Sequence, residues 1–153
     1  MNEFVNSEIS ALVGTLLVEE SSGERWFDFG RGPAATERLG ASIANRTRAY
    51  NPDVVASWFS PDEAVLAHIV ARELDAVRTA IELDLGLLSL ESELPPASKI
   101  LLVSTSWNSR RPLAPLRTLL EGQGHTIVAA ASLVRSSAED SQVDDLPLIT
   151  LTD

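Results

Sequence analysis

The chain has 153 residues, 44% of them hydrophobic and 22% charged, close to average globular usage, so disorder over most of the length is excluded and one domain is expected. No apolar run approaches the roughly 18 residues of a membrane span, and the absence of cysteine removes disulfides, thiolate metal sites and cysteine nucleophiles together. Twelve basic residues face 22 acidic ones, and a net charge of −10 repels a polyanion such as DNA. The start shows no positive cluster followed by an apolar stretch, so the cytoplasm is the expected location.

Residues 3–13 predict a first helix with Phe4, Ile9, Leu12 and Val13 apolar. Thr15–Glu19 and Arg25–Phe29 then flank the turn Ser21-Ser22-Gly23 as a hairpin. Pro33 suits the first turn of a helix running to about Tyr50, with Leu39, Ile43 and Ala44 facing inward. Asn51-Pro52 breaks it, and Val54–Ala56 is a short apolar strand.

Ser60 as N-cap, Pro61 at the first position and Asp62-Glu63 in the first turn predict the next helix. Its apolar face is Val65, Leu66, Ile69, Val70 and Leu74. Val77–Leu83 and Leu87–Leu90 are weaker strands, Pro95-Pro96 punctuates, and Lys99–Val103 is the clearest buried strand. Beyond the polar loop Ser104–Arg111, Pro112 opens a helix to about Glu121, closed by Gly122 and Gly124. Thr126–Val134 and Leu146–Leu151 are the last strands, and the acidic stretch 139–145 reads as a solvated loop.

Strands that are continuously apolar and alternate with helices predict an α/β fold, a mainly parallel sheet flanked by helices with a Rossmann-like core. The expected layout is one domain over 1–153, with a helix and hairpin hood at 1–32 and the α/β core at 33–153. Ligands of such sheets sit beyond the carboxyl ends of the strands. Two loops fit: Ser57-Trp58-Phe59-Ser60, and Ser104-Thr105-Ser106-Trp107-Asn108-Ser109-Arg110-Arg111. The second has five small polar side chains and two arginines before a helix, a setting that favours a phosphate or carboxylate; the plain alternative is a solvated connection.

The segments "SSGERWFDFGR", "NPDVVASWFSPDEAVLAHIVARELD", "KILLVSTSW", "LLEGQGHTIVAAASLV" and "LPLITLTD", in that order, resemble the type I phosphoribosyltransferases, most closely the orotate phosphoribosyltransferase branch. The resemblance covers nearly the whole chain. In that family a strand ends in two acids that hold the ribose hydroxyls of phosphoribosyl pyrophosphate (PRPP), and a Thr/Gly-rich loop holds the 5′-phosphate. The acids correspond here to Ser104 and Thr105, and the Thr/Gly-rich stretch to Asn108, Ser109, Arg110 and Arg111. The family's small-residue pyrophosphate loop corresponds to Ser57–Asp62, where Trp58 and Phe59 stand.

The mobile loop that carries a catalytic lysine in the family falls between Leu74 and Lys99. Arg78 is its only basic residue, and Lys99, the one lysine of the chain, opens the buried strand. Trp26 and Phe27 are the base-side candidates for stacking, with Arg135 near a family arginine that meets a substrate carboxylate. The reaction depends on placed charge and positioning, so these losses imply no catalytic residue and no appreciable transfer.

The expectation is a phosphoribosyltransferase-like protein acting by binding, as a regulatory, nucleotide-sensing or partner-binding homologue, with a history in pyrimidine nucleotide metabolism. The alternative is a divergent active PRPP-dependent transferase in which Arg110 and Arg111 replace backbone phosphate contacts. No cofactor is expected, and Mg²⁺ only as a companion of bound PRPP. Expected partners are a second copy or a related chain, and a phosphorylated small molecule, with no nucleic acid and no membrane. His68 reads as an exposed helical residue, His125 as a turn residue and Asp62-Glu63 as helix-dipole complementation; two histidines without cysteine make no zinc site. Trp58 and Trp107 read as fillers of a vacated pocket or as interface residues.

Overall fold

The computed structural model describes residues 2–135 and 145–152. At its centre is a six-stranded sheet in the order β5-β4-β3-β6-β7-β8. These strands are β3 (Val54–Trp58), β4 (Val77–Asp84), β5 (Leu87–Leu90), β6 (Lys99–Ser104), β7 (Thr126–Val134) and β8 (Leu148–Thr152). All neighbours pair parallel except β4 and β5, which form an antiparallel hairpin at one edge. A short hairpin, β1 (Leu17–Glu19) with β2 (Arg25–Phe27), stands apart from the sheet as the expected hood. The α/β fold with a mainly parallel sheet is thus the observed one.

Helices cover both faces. Helices α1 (Asn2–Leu16), α2 (Pro33–Thr47) and α3 (Pro61–Leu74) pack over Val55, Leu101, Val103, Ala129, Ala131 and Leu133. Helix α4 (Ala114–Gly122) covers Val54, Ala56, Ile100, Leu102, Ile127 and Ala130 on the other side. The alternation along each strand sends odd and even positions to opposite layers. In β7 a register shift sets Ile100 opposite Ile127 but Leu101 opposite Ala129. The extra residue, Val128, lets Ile127 and Ala130 share the α4 face.

Helix α2 carries Leu39, Ile43 and Ala44 inward, all fully buried, as its spacing predicts. Gly40 on the same stripe meets Ile69 of α3 so closely that an added Cβ would lie 2.8 Å from the Ile69 Cβ. The two helices approach through the missing side chain.

Several boundaries differ from expectation. Thr15 and Leu16 continue α1, because the Thr15 hydroxyl turns back onto the Ala11 carbonyl at 3.0 Å instead of entering the hairpin. Helix α2 ends at Thr47; Arg48–Tyr50 tighten into a 3-10 turn that leads to Asn51 in the left-handed region (φ 52°). Pro112 does not open α4, which begins two residues later, and its carbonyl accepts the Trp58 indole N–H at 3.0 Å. Ser60 precedes α3 without a side-chain cap, its hydroxyl lying 3.3 Å from the Asp62 carboxylate, and Val65 is exposed rather than on the buried face. The last strand starts at Leu148, not Leu146. Of the acidic stretch 139–145, only Asp145 falls within the described residues.

Candidate functional site

Strand β6 lies between β3 and β7, so the loops after β3 and β6 emerge side by side at the middle of the sheet's carboxyl edge. Helix α3 starts directly after the first loop, which brings Asp62 and Glu63 against the second.

Glu63 is fully buried there. Its carboxylate accepts the Thr105 amide at 3.2 Å and the Thr105 hydroxyl at 2.9 Å, and the Ser104 hydroxyl lies 3.2 Å away. Arg111 completes the cluster: one guanidinium nitrogen donates to Glu63 Oε1 at 2.7 Å, and the other sits 3.1 Å from Asp62. Burial pushes the Glu63 carboxyl above its ordinary value, against the opposing pull of Arg111 and of the Thr105 donors. Glu63 thus holds the first-turn position at the start of α3 that the sequence predicts, and adds a part the sequence did not show, a buried bridge to the loop after β6.

Four further amides of the loop, those of Ser106, Asn108, Arg110 and Arg111, are engaged in the same manner. The Asn108 side-chain oxygen accepts the amides of Arg110 (2.9 Å) and Arg111 (3.1 Å), and the Asn108 amide donates to the Arg111 carbonyl at 3.2 Å. The Ser106 amide donates to the Ser104 hydroxyl at 3.3 Å. Asn108, the first residue of the stretch read as the phosphate loop, thus caps that loop itself. Arg110 reaches across to Glu24 in the hood turn.

Two cavities flank this cluster. One of about 340 Å³ opens under the hood and gathers Trp26, Phe27, Thr105, Ser106, Asn108, Arg111 and Arg135, together with Arg25. The other, about 590 Å³, is an apolar groove against the β4–β5 hairpin that takes Trp58, Phe59, Ser60, Ser109 and Arg110. Arg111 borders both. Ser57 and Ser104 line neither: both are buried below the loops, Ser57 with its hydroxyl 3.1 Å from the Trp58 carbonyl.

Trp107 is only 1% exposed and packs with Leu113, Leu116 and Leu120 beneath α4, its indole nitrogen without a hydrogen-bond partner among the described residues. It is a core residue, because the chain turns inward at that point of the loop. His68 is exposed on α3, while His125 is buried and its Nδ1 accepts the Ser98 amide at 3.1 Å. That bond, across the start of β6, draws the imidazole out of the solvent-facing turn expected for it. Arg78 pairs with Glu91. Among the described residues no group of three His, Asp or Glu side chains is placed to hold a metal, and no helix is long and apolar enough to cross a membrane.

Glu63 in the cluster and Arg25 on the cavity wall are polar residues of the candidate site that the sequence reading did not count among its site residues. Glu63 carried a faint signal: an acid one turn into a helix that begins at the ligand side of a parallel strand. Arg25 lies one residue before the stacking candidates, in a strand whose side chains alternate in direction.

No protein-family model matches this chain, and no curated protein sequence does. Solved structures do. The orotate phosphoribosyltransferase of Mycobacterium tuberculosis in complex with inorganic phosphate superposes with a TM-score of 0.70 at 18% identity, over 96% of this chain and 94% of that one. A phosphoribosyltransferase from Corynebacterium diphtheriae gives 0.74 at 17%, over 97% and 95%. The adenine phosphoribosyltransferase of Rhodothermus marinus gives 0.78 at 14%, over 95% and 98%. The fold is that of the type I phosphoribosyltransferases, and it is shared with orotate and adenine enzymes alike.

Proposed function

We propose that this chain is a phosphoribosyltransferase-fold protein that has lost transfer chemistry and acts by binding, with its ancestry in the orotate branch. The observation that carries this reading is the self-satisfied loop after β6. The amides of Thr105, Arg110 and Arg111 are held by Glu63 and Asn108, and the Arg111 guanidinium by Asp62 and Glu63. A 5′-phosphate entering this loop meets engaged donors and a buried carboxylate, where backbone N–H groups would need to be free.

Ser104 and Thr105 stand where the family resemblance puts two acids, and neither supplies charge to a cationic transition state. Glu63 lies against both, yet its carboxylate is enclosed and neutralised by Arg111, so it does not face a ribose. The divergent active reading needs Arg110 and Arg111 to hold PRPP. Both already have carboxylate partners, which disfavours it. A regulatory or nucleotide-sensing role, alone as a dimer or beside a related chain, fits a shared fold whose loop is engaged with itself.

The test is incubation of the protein with PRPP, Mg²⁺ and in turn orotate, uracil, adenine and hypoxanthine, with released pyrophosphate as the readout. No release above the protein-free control is expected. Release that rises in proportion to protein concentration overturns the proposal.

A further inference from the structure

We propose that the cavity under the hood binds a nucleoside monophosphate with its phosphate on Arg25 and Arg135, the reverse of a phosphate seated on the loop after β6. The inference rests on the reading of that loop as self-satisfied and deepens it by naming the ligand class and its direction in the site.

Arg110 and Arg111, the cations of the loop, are paired with Glu24, Asp62 and Glu63. Arg25 and Arg135 line the same cavity and have no acidic partner among the described residues. In a chain of net charge −10, two guanidinium groups at one cavity without a carboxylate partner among the described residues offer a local attraction for a dianion. Arg25 comes from the hood and Arg135 follows β7, so the pair joins two elements across the opening.

The rest of the cavity suits a nucleoside. Trp26 is 45% exposed beside Arg25 and offers an aromatic ring at the cavity wall. Ser106 lines the same space, and its hydroxyl, which makes no hydrogen bond to another described residue, is of the kind that pairs with a ribose hydroxyl.

A second cavity of about 300 Å³ continues past the two arginines, between α1 and the ends of β7 and β8, and shares Leu17, Arg25, Val134 and Arg135 with the first. Among the described residues the space thus continues past the two arginines, with room for a substituent beyond the phosphate. Both arginines are exposed, so their replacement leaves the core intact.

The experiment is calorimetric titration of the whole protein with UMP, AMP, uridine and inorganic phosphate, on the wild type and on Arg25→Ala, Arg135→Ala and Arg110→Ala. The expected result is saturable binding of UMP or AMP, weaker for uridine and for phosphate alone. Each of the Arg25 and Arg135 changes is expected to reduce nucleotide affinity by about ten- to a hundredfold, the scale of a lost charge-assisted bond. No binding of either nucleotide overturns the proposal. So does loss of binding on Arg110→Ala with Arg25→Ala and Arg135→Ala unchanged, because that places the phosphate on the loop. Pyrophosphate release from PRPP in the assay above would instead overturn the reading of lost catalysis, whatever the nucleotides do.

Discussion

The carboxylate of Glu63 and the guanidinium of Arg111 meet at 2.7 Å across 48 residues of chain. The first is fully buried at the start of α3; the second is 29% exposed at the end of the loop after β6. Their contact ties together the two loops that the parallel sheet presents at its carboxyl edge. It also determines what that edge has left to offer a ligand, since the same guanidinium engages Asp62.

Removing one partner of this pair tests how much it holds. Arg111→Ala is expected to cost about 2–3 kcal/mol, toward the lower side for a buried pair because the guanidinium is partly solvated. In a Glu63→Gln background the same change is expected to cost clearly less. Urea denaturation of the four proteins of the cycle measures the coupling, and equal costs in both backgrounds would show that there is none.

The raised Glu63 carboxyl has a consequence for pH. Burial makes the folded protein bind this proton more tightly than the unfolded chain does. Between the ordinary carboxylate value of 4.5 and the higher folded value, the native state carries the extra proton, so its stability falls as pH rises through that window. Glu63→Gln does not titrate and lacks this slope. Urea midpoints followed upward from pH 4.5 are expected to decline for the wild type relative to the variant; parallel curves would contradict the assignment.

Gly40 gives a packing test remote from the site. Gly40→Ala sets a methyl 2.8 Å from the Ile69 Cβ, and the strain is expected to exceed the helix-propensity gain, for a net loss of about 1–3 kcal/mol. Combining it with Ile69→Ala should recover part of the loss attributable to the clash. A thermal midpoint unchanged by Gly40→Ala would mean that α2 and α3 separate at no cost.

Asn108→Ala removes the acceptor of two loop amides. Faster hydrogen exchange at Arg110 and Arg111 is expected, with a global loss of about 1 kcal/mol or less. Exchange rates that stay at wild-type values would show that the loop holds its shape without this side chain.

The layers of the fold were legible along the chain. Val54–Ala56, Lys99–Val103 and Thr126–Val134 read as buried strands because a strand covered on both faces has no polar alternation to maintain. Leu39, Ile43 and Ala44 read as an inward stripe because helical spacing is a local property. The hood turn, with Gly23 at φ 86°, was equally local.

The site was legible only in part. Trp26, Phe27, Thr105, Ser106, Asn108, Arg111 and Arg135 were singled out in separate segments, and the fold brings them to one cavity. Ser109 and Arg110 turn to the neighbouring groove, because the bonds from Asn108 curl the loop between the two sides. Trp107 was counted among the ligand-side aromatics but lies in the core under α4, since one residue of the loop points inward while its neighbours face out.

What the sequence alone determined is what short-range physics sets: apolar continuity, helical spacing, turns, and the lack of acids at the end of β6. What tertiary structure decided is which charges are left over. Asp62 and Glu63 look like ordinary first-turn acids until α3 is docked beside β6, and Arg110 and Arg111 look like free cations until Glu24, Asp62 and Glu63 reach them. Electrostatic pairing depends on distance in space and on burial, both of which appear only once segments dozens of residues apart are packed together.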